Sequence, residues 1–165
     1  MSRATSMPET TATRWLWVMA LLCVAAVGAA LAAQYVWDMR PCPWCVLQRA
    51  IYLLIAVLCV AGACLKSRAA RAVPVVLGLL LALSGAASAL YQHLVAAASS
   101  SCNLTLADKI VSALSLDSLL PSVFSATASC AEAAVSVAGV PFAYWSLGLF
   151  AVLAVGLAAV LLRRP

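Results

Sequence analysis

Four stretches of this chain stay apolar for about twenty residues, and the polar positions crowd into the gaps between them. Trp15–Tyr35, Val46–Leu65, Val73–Tyr91 and Tyr144–Leu162 each hold 19–21 residues, close to the roughly 20 that a helix needs to cross about 30 Å of hydrocarbon. A bilayer core cannot solvate backbone groups, so each run is predicted to be a helix that satisfies its own hydrogen bonds. Gly28, Gly62, Gly78, Gly85 and many alanines let such helices approach closely. The pattern predicts an all-α membrane protein, a single domain over residues 1–165. It is a four-helix bundle with a short loop over 36–45 and a long loop over 92–143 on one side.

Composition excludes the soluble alternative. The chain is 66% hydrophobic and 9% charged, against about 45–50% and about 25% for soluble domains. The net charge of +5 does not point to nucleic acid, because the basic residues sit at the ends of apolar runs. They set an orientation instead. Arg3, Arg14, Lys66, Arg68, Arg71, Arg163 and Arg164 fall on one side, and Arg40, Arg49 and Lys109 on the other. The positive-inside rule then puts both termini in the cytoplasm. Trp15, Trp17, Trp37, Trp44, Tyr91 and Trp145 sit at predicted span ends as interfacial anchors. A cleaved leader competes for the first run, since "GAALAAQ" holds a small-x-small site. The run exceeds the roughly 7–15 apolar residues of a leader and has aromatic residues at both ends, which favours a retained span.

The seven cysteines then divide by compartment. Cys42 and Cys45 fall in the first outward loop and Cys102 and Cys130 in the second, where an oxidising compartment permits disulfides in any of three pairings. Cys23, Cys59 and Cys64 fall in or at the end of spans and read as small buried hydrophobes. A Cys102–Cys130 bond would staple a long loop, by about 3–4 kcal/mol in the chain-entropy model. A bond across the two residues of "CPWC" is a poor staple, so that pair reads as a redox pair or half a zinc site. The second pair lacks ligand spacing and His93 is the lone histidine, so no metal is expected.

Pro41 and Pro43 predict an extended entry and an early helix turn, with Cys45 in the first turn of the second span. The helix dipole there favours a thiolate. Arg49 lies one turn deeper on the same face, where a cation is costly and as a rule functional. It could stabilise the Cys45 thiolate or the anion of a reduced acceptor; the plainer reading is an arginine snorkelling to the interface. Thiolate, cation and membrane depth describe a site that hands electrons to a lipid-soluble carrier. In the long loop, "LADKIVSALSLDSLLPSVF" repeats Leu106, Ile110, Val111, Leu114, Leu119 and Leu120 at roughly helical spacing. It is expected to form an amphipathic helix interrupted at Pro121, lying on the membrane surface or packed over the span ends.

"PCPWCVLQR" at the second span, "YQH" ending the third, the Cys102 and Cys130 loop and "VPFAYWSLGLF" opening the fourth resemble the DsbB family of bacterial inner-membrane quinone reductases. The resemblance covers Trp15–Leu162. It implies a quinone-dependent protein thiol-disulfide oxidoreductase that reoxidises a DsbA-like periplasmic thioredoxin-fold partner. The electrons would pass to the membrane quinone pool, ubiquinone ahead of menaquinone. It implies disulfides Cys42–Cys45 and Cys102–Cys130, a quinone-site role for Arg49, and a place near the quinone for His93. Some relatives carry an aromatic-acidic pair before the arginine where this chain has Leu47 and Gln48. Two rivals fit less well. Vitamin K epoxide reductase-like enzymes place a Cys-x-x-Cys late, not early, and a disulfide-stapled scaffold gives no reason for Arg49 below Cys45.

Overall fold

The computed structural model describes residues 9–98 and 105–162. Its long helices are α1 (Glu9–Val36), α2 (Pro43–Cys64) and α3 (Arg68–Tyr91). Between α3 and the last long helix lie three short ones, α4 (Leu106–Ala113), α5 (Leu116–Leu119) and α6 (Pro121–Phe124). A two-stranded hairpin, β1 (Ser136–Val137) and β2 (Val140–Pro141), leads into α7 (Phe142–Leu162). Among the described residues, four helices are long and apolar enough to cross a membrane, as the apolar runs predicted.

Two boundaries differ most from the sequence reading. α1 starts at Glu9, ahead of Trp15, and α3 starts at Arg68, ahead of Val73. The basic "KSRAAR" stretch is thus largely the opening of α3. There the buried Arg71 donates to the carbonyls of Leu65 (Nη2, 2.8 Å) and Gly62 (Nε, 3.1 Å), satisfying oxygens that the end of α2 would otherwise orphan. Beyond Tyr91, α3 continues as a π-helical turn, Gln92–Ala96.

The core sits where single faces of the long helices converge. α1 contributes Leu16, Met19, Cys23 and Val27; α2 contributes Tyr52, Ile55 and Cys59; α7 contributes Phe150, Leu153 and Leu157. The spacings of three and four residues on each helix are what a single buried stripe requires. Gly85 of α3 lies so close to Phe150 that an added Cβ would collide with the ring. Cys23 and Cys59 are core residues as expected, but Cys64 is exposed at the last turn of α2, because the stripe ends before it. Helix pairing is uneven: α3 packs along α7, and α2 along both α1 and α3, whereas α1 and α7 meet only briefly.

The amphipathic segment is broken earlier than the sequence suggested. Thr105 and Asp108 form a capping box that starts α4, and Ser115 adopts a left-handed φ of 53° that ends the run. Pro121 opens α6 at its first turn, the helical position where proline's missing N–H costs nothing. Ala107 and Val111 turn inward, with Val111 against Val46 and Phe124. Leu106, Leu114, Leu119 and Leu120 remain exposed. The segment therefore packs over α2 and presents an apolar outer face.

Candidate functional site

The site grows from the first turn of α2. A residue before proline is pushed to extended backbone, and Cys42 has φ −85° and ψ 166°, ahead of Pro43. That makes Cys42 the N-cap, with its sulfur accepting from the Cys45 N–H at 3.4 Å. The two sulfurs stand 2.9 Å apart as free thiols. Cys45 lies in the first helical turn, as Pro43 predicted.

The long loop delivers a third sulfur. Thr127 and Ala128 donate their N–H groups to the Pro41 carbonyl, at 3.0 and 3.2 Å. The next turn is closed by Ser129 and Glu132: the Ser129 N–H and Oγ both donate to Glu132 Oε2 at 2.8 Å, and the Glu132 N–H donates to Ser129 Oγ at 3.3 Å. This capping-box arrangement brackets Cys130, which is buried with Cys42 and Trp44. The Cys42 and Cys130 side chains interact within this cluster. That interaction, with the contact to Cys45 and burial, raises the Cys42 thiol far above the ordinary range. The same interaction lowers the Cys130 thiol, against the opposing effect of burial. Cys130, Cys42 and Cys45 thus form a row with Cys42 in the middle. Cys102 lies outside the described residues.

At the far end of the row, Cys45 opens on a cavity of about 320 Å³. The opening follows from the brief contact between α1 and α7. Ala26, Ala30 and Ala33 wall it from α1, Gln48, Arg49 and Tyr52 from α2, and Trp145, Ser146 and Leu149 from α7. Arg49 is buried. It donates to Gln34 Oε1 at 2.7 Å, to the Val123 carbonyl at 2.9 Å and to the Ala30 carbonyl at 3.4 Å. Its hydrogen bonds among the described residues go to neutral groups, so the positive charge remains available to an anion in the cavity. Snorkelling does not describe an arginine held inside by three neighbours.

Besides Cys42, the Cys45 sulfur has a direct neighbour to which the sequence reading gave no role. Gln92 Nε2 donates to it at 3.3 Å. Gln48, noted above only as a departure from relatives, lies behind Gln92 at 2.8 Å. The usable signal was that both are polar residues at helix positions that packing buries. His93 points elsewhere: its ring packs against Tyr144, centroids 4.5 Å apart, and it is not among the residues lining the cavity.

Comparison with known proteins identifies the family. The family model described as "Disulfide bond formation protein DsbB" matches residues 12–160. "Disulfide bond formation protein B 1" of Pseudomonas savastanoi pv. phaseolicola is 34% identical over 152 residues, covering 92% of this chain and 90% of that protein. "Disulfide bond formation protein B" of Burkholderia pseudomallei is 35% identical over 153 residues, with the same coverage. "Disulfide bond formation protein B 1" of Pseudomonas fluorescens is 34% identical over 140 residues, covering 83% and 82%. With four membrane-length helices and a Cys-x-x-Cys opening the second, this chain belongs to the DsbB family of disulfide bond formation proteins.

Proposed function

We propose that this protein reoxidises a DsbA-like periplasmic dithiol partner and passes the electrons to membrane quinone. The observation that carries the reading is the row Cys130, Cys42, Cys45, ending in a cavity that also holds Arg49. The partner thiolate attacks Cys102 of a Cys102–Cys130 disulfide and releases the Cys130 thiolate. Cys130 attacks Cys42 of a Cys42–Cys45 disulfide and releases the Cys45 thiolate at the cavity. The partner's second thiol resolves its bond to Cys102. Cys102 then recovers Cys130 and frees Cys42. Each step is an ordinary exchange that keeps the number of disulfides constant.

The cavity suits the head group of a quinone. It is mostly apolar with a few convergent polar groups, and its volume lies near the lower end of the roughly 300–1,000 Å³ of small-molecule sites. A quinone held between Arg49, Tyr52 and Trp145 would supply the acceptor for the two electrons and two protons that Cys42 and Cys45 give up when their disulfide re-forms. Arg49 supports the negative charge that arrives there. His93, outside the cavity lining, takes no step in this route. Arg14, Lys66, Arg68 and Arg71 sit toward the bundle end opposite Cys42, which supports an inner-membrane protein with both termini cytoplasmic.

The test is turnover by the full chain in lipid, with a reduced DsbA-type partner and a soluble ubiquinone. One quinone should be reduced per partner disulfide formed, and Cys102→Ser should abolish partner oxidation. Partner oxidation at the unaltered rate in Cys102→Ser would contradict the relay. No turnover by the unaltered protein would favour the scaffold reading.

A further inference from the structure

A chain of hydrogen bonds along the cavity wall ends on the Cys45 sulfur. The Tyr52 hydroxyl lies 3.0 Å from both the Ser146 carbonyl and Ser146 Oγ. Ser146 Oγ donates to Gln48 Oε1 at 2.6 Å, Gln48 Nε2 donates to Gln92 Oε1 at 2.8 Å, and Gln92 Nε2 donates to Cys45 Sγ at 3.3 Å. The direction follows from how the two amides are turned. A serine hydroxyl has one proton, and a glutamine amide accepts at oxygen and donates at nitrogen. With the Ser146 proton given to Gln48 Oε1, the Gln48 amide nitrogen faces the Gln92 oxygen, and the Gln92 nitrogen faces sulfur. From Ser146 Oγ onward, every donor in the chain points toward Cys45.

Both glutamines are 95% buried, among helices that cross a membrane, where a buried amide without partners is costly. Arg49, by contrast, spends its hydrogen bonds on Gln34, Val123 and Ala30 and makes none to Cys45. Beside the Cys42 sulfur, the polar group in contact with Cys45 Sγ is therefore the neutral amide and not the arginine. Gln92 also opens the π-helical turn after α3, a local irregularity of the kind found at functional sites.

We infer that Gln92 is a further catalytic residue, whose amide N–H holds Cys45 as the thiolate that faces the cavity, with Gln48 and Ser146 as positioning residues that keep the amide turned donor-first. The inference rests on Cys45 being the cavity-facing redox thiol. It explains how this chain works with glutamine before the arginine. A donor supplied through Gln92 stabilises the sulfur anion without adding a carboxylate beside it.

The test reads Cys45 alone and needs neither quinone nor partner, so it fails separately from the proposed relay. In full-length Cys42→Ser protein in lipid, Cys45 is unpaired, and its alkylation is followed by peptide mass spectrometry across pH. Adding Gln92→Met, which keeps the shape and removes the donor, should slow alkylation at pH 7 about tenfold, since a hydrogen bond to a charged group contributes about 1.5–3 kcal/mol. The difference should vanish at high pH, where the thiol ionises in either protein. Gln48→Met and Ser146→Ala should shift the profile the same way by less, and they carry the test if Gln92→Met does not fold. A profile that superposes on the parent, or a change equal at every pH, would overturn the inference.

Discussion

The two halves of α2 obey different rules. From Leu53 to Cys64 its inward residues, Ile55, Ala56, Cys59 and Gly62, are apolar or small and pack against α1, α3 and α7. From Pro43 to Tyr52 the inward residues include Cys45, Gln48, Arg49 and Tyr52, each hydrogen-bonded across to another element. Burying those groups costs free energy that leucine or alanine would not, and their mutual satisfaction keeps the cost bearable. The inner half is what a membrane bundle needs to stand; the Cys42 half is what it needs to act.

If that division is right, substitutions in the two halves should fail in different currencies. The largest effect is expected for Arg49→Met. Loss of a preorganised charge at a developing anion typically costs about 100-fold or more, so quinone reduction should fall on that order. Exchange between Cys102 and the partner, measured without quinone, should change far less. Equal loss in both half-reactions would erase the local role of Arg49. Gly85→Ala should do the reverse. Its Cβ would strike Phe150, and overpacking of this kind costs about 1–3 kcal/mol. Denaturation in detergent should show that loss, while the surviving folded protein turns over normally. Replacing Cys23, Cys59 or Cys64 by alanine should likewise spare turnover.

The smallest effect separates the loop from both halves. Glu132 is held below the ordinary carboxylate range by the Ser129 N–H and hydroxyl. A carboxyl depressed on folding contributes stability above its unfolded value, and that contribution is lost as pH falls through the folded value. Amide protection at Ser129 and Glu132, corrected for intrinsic exchange, should therefore drop only below about pH 4. In Glu132→Gln the pH dependence should disappear, and persistence of the drop would assign it to another group.

What could be read from the sequence was what depends on one segment at a time. Twenty-residue apolar runs imply spans, and Pro43 after Cys42 implies a helix that starts with its cysteines at the mouth. The polar chain could not be read this way, because Gln48, Tyr52, Gln92 and Ser146 come from three separate helices and meet only once those helices pack. The hairpin was also hidden. Its two central residues, Ala138 and Gly139, have φ of 52° and 79°. That is the I′ pattern usually announced by Asn-Gly, whereas "VAGV" shows only the glycine. The Ser129-x-x-Glu132 signature around Cys130 was legible in principle, since S-x-x-E is a local capping pattern. It matters to the site through the pinning of Thr127 and Ala128 to Pro41, which is long-range.

The central claim is that Cys45 is the sulfur from which electrons leave the protein. It is tested most directly by a half-reaction without any partner. Fully reduced protein is mixed anaerobically with ubiquinone in lipid, and quinone absorbance and remaining thiols are followed together. The account predicts one quinone reduced for each Cys42–Cys45 disulfide formed, with no fast phase in Cys45→Ser and an intact fast phase in Cys102→Ser. A fast phase that survives Cys45→Ser would contradict it.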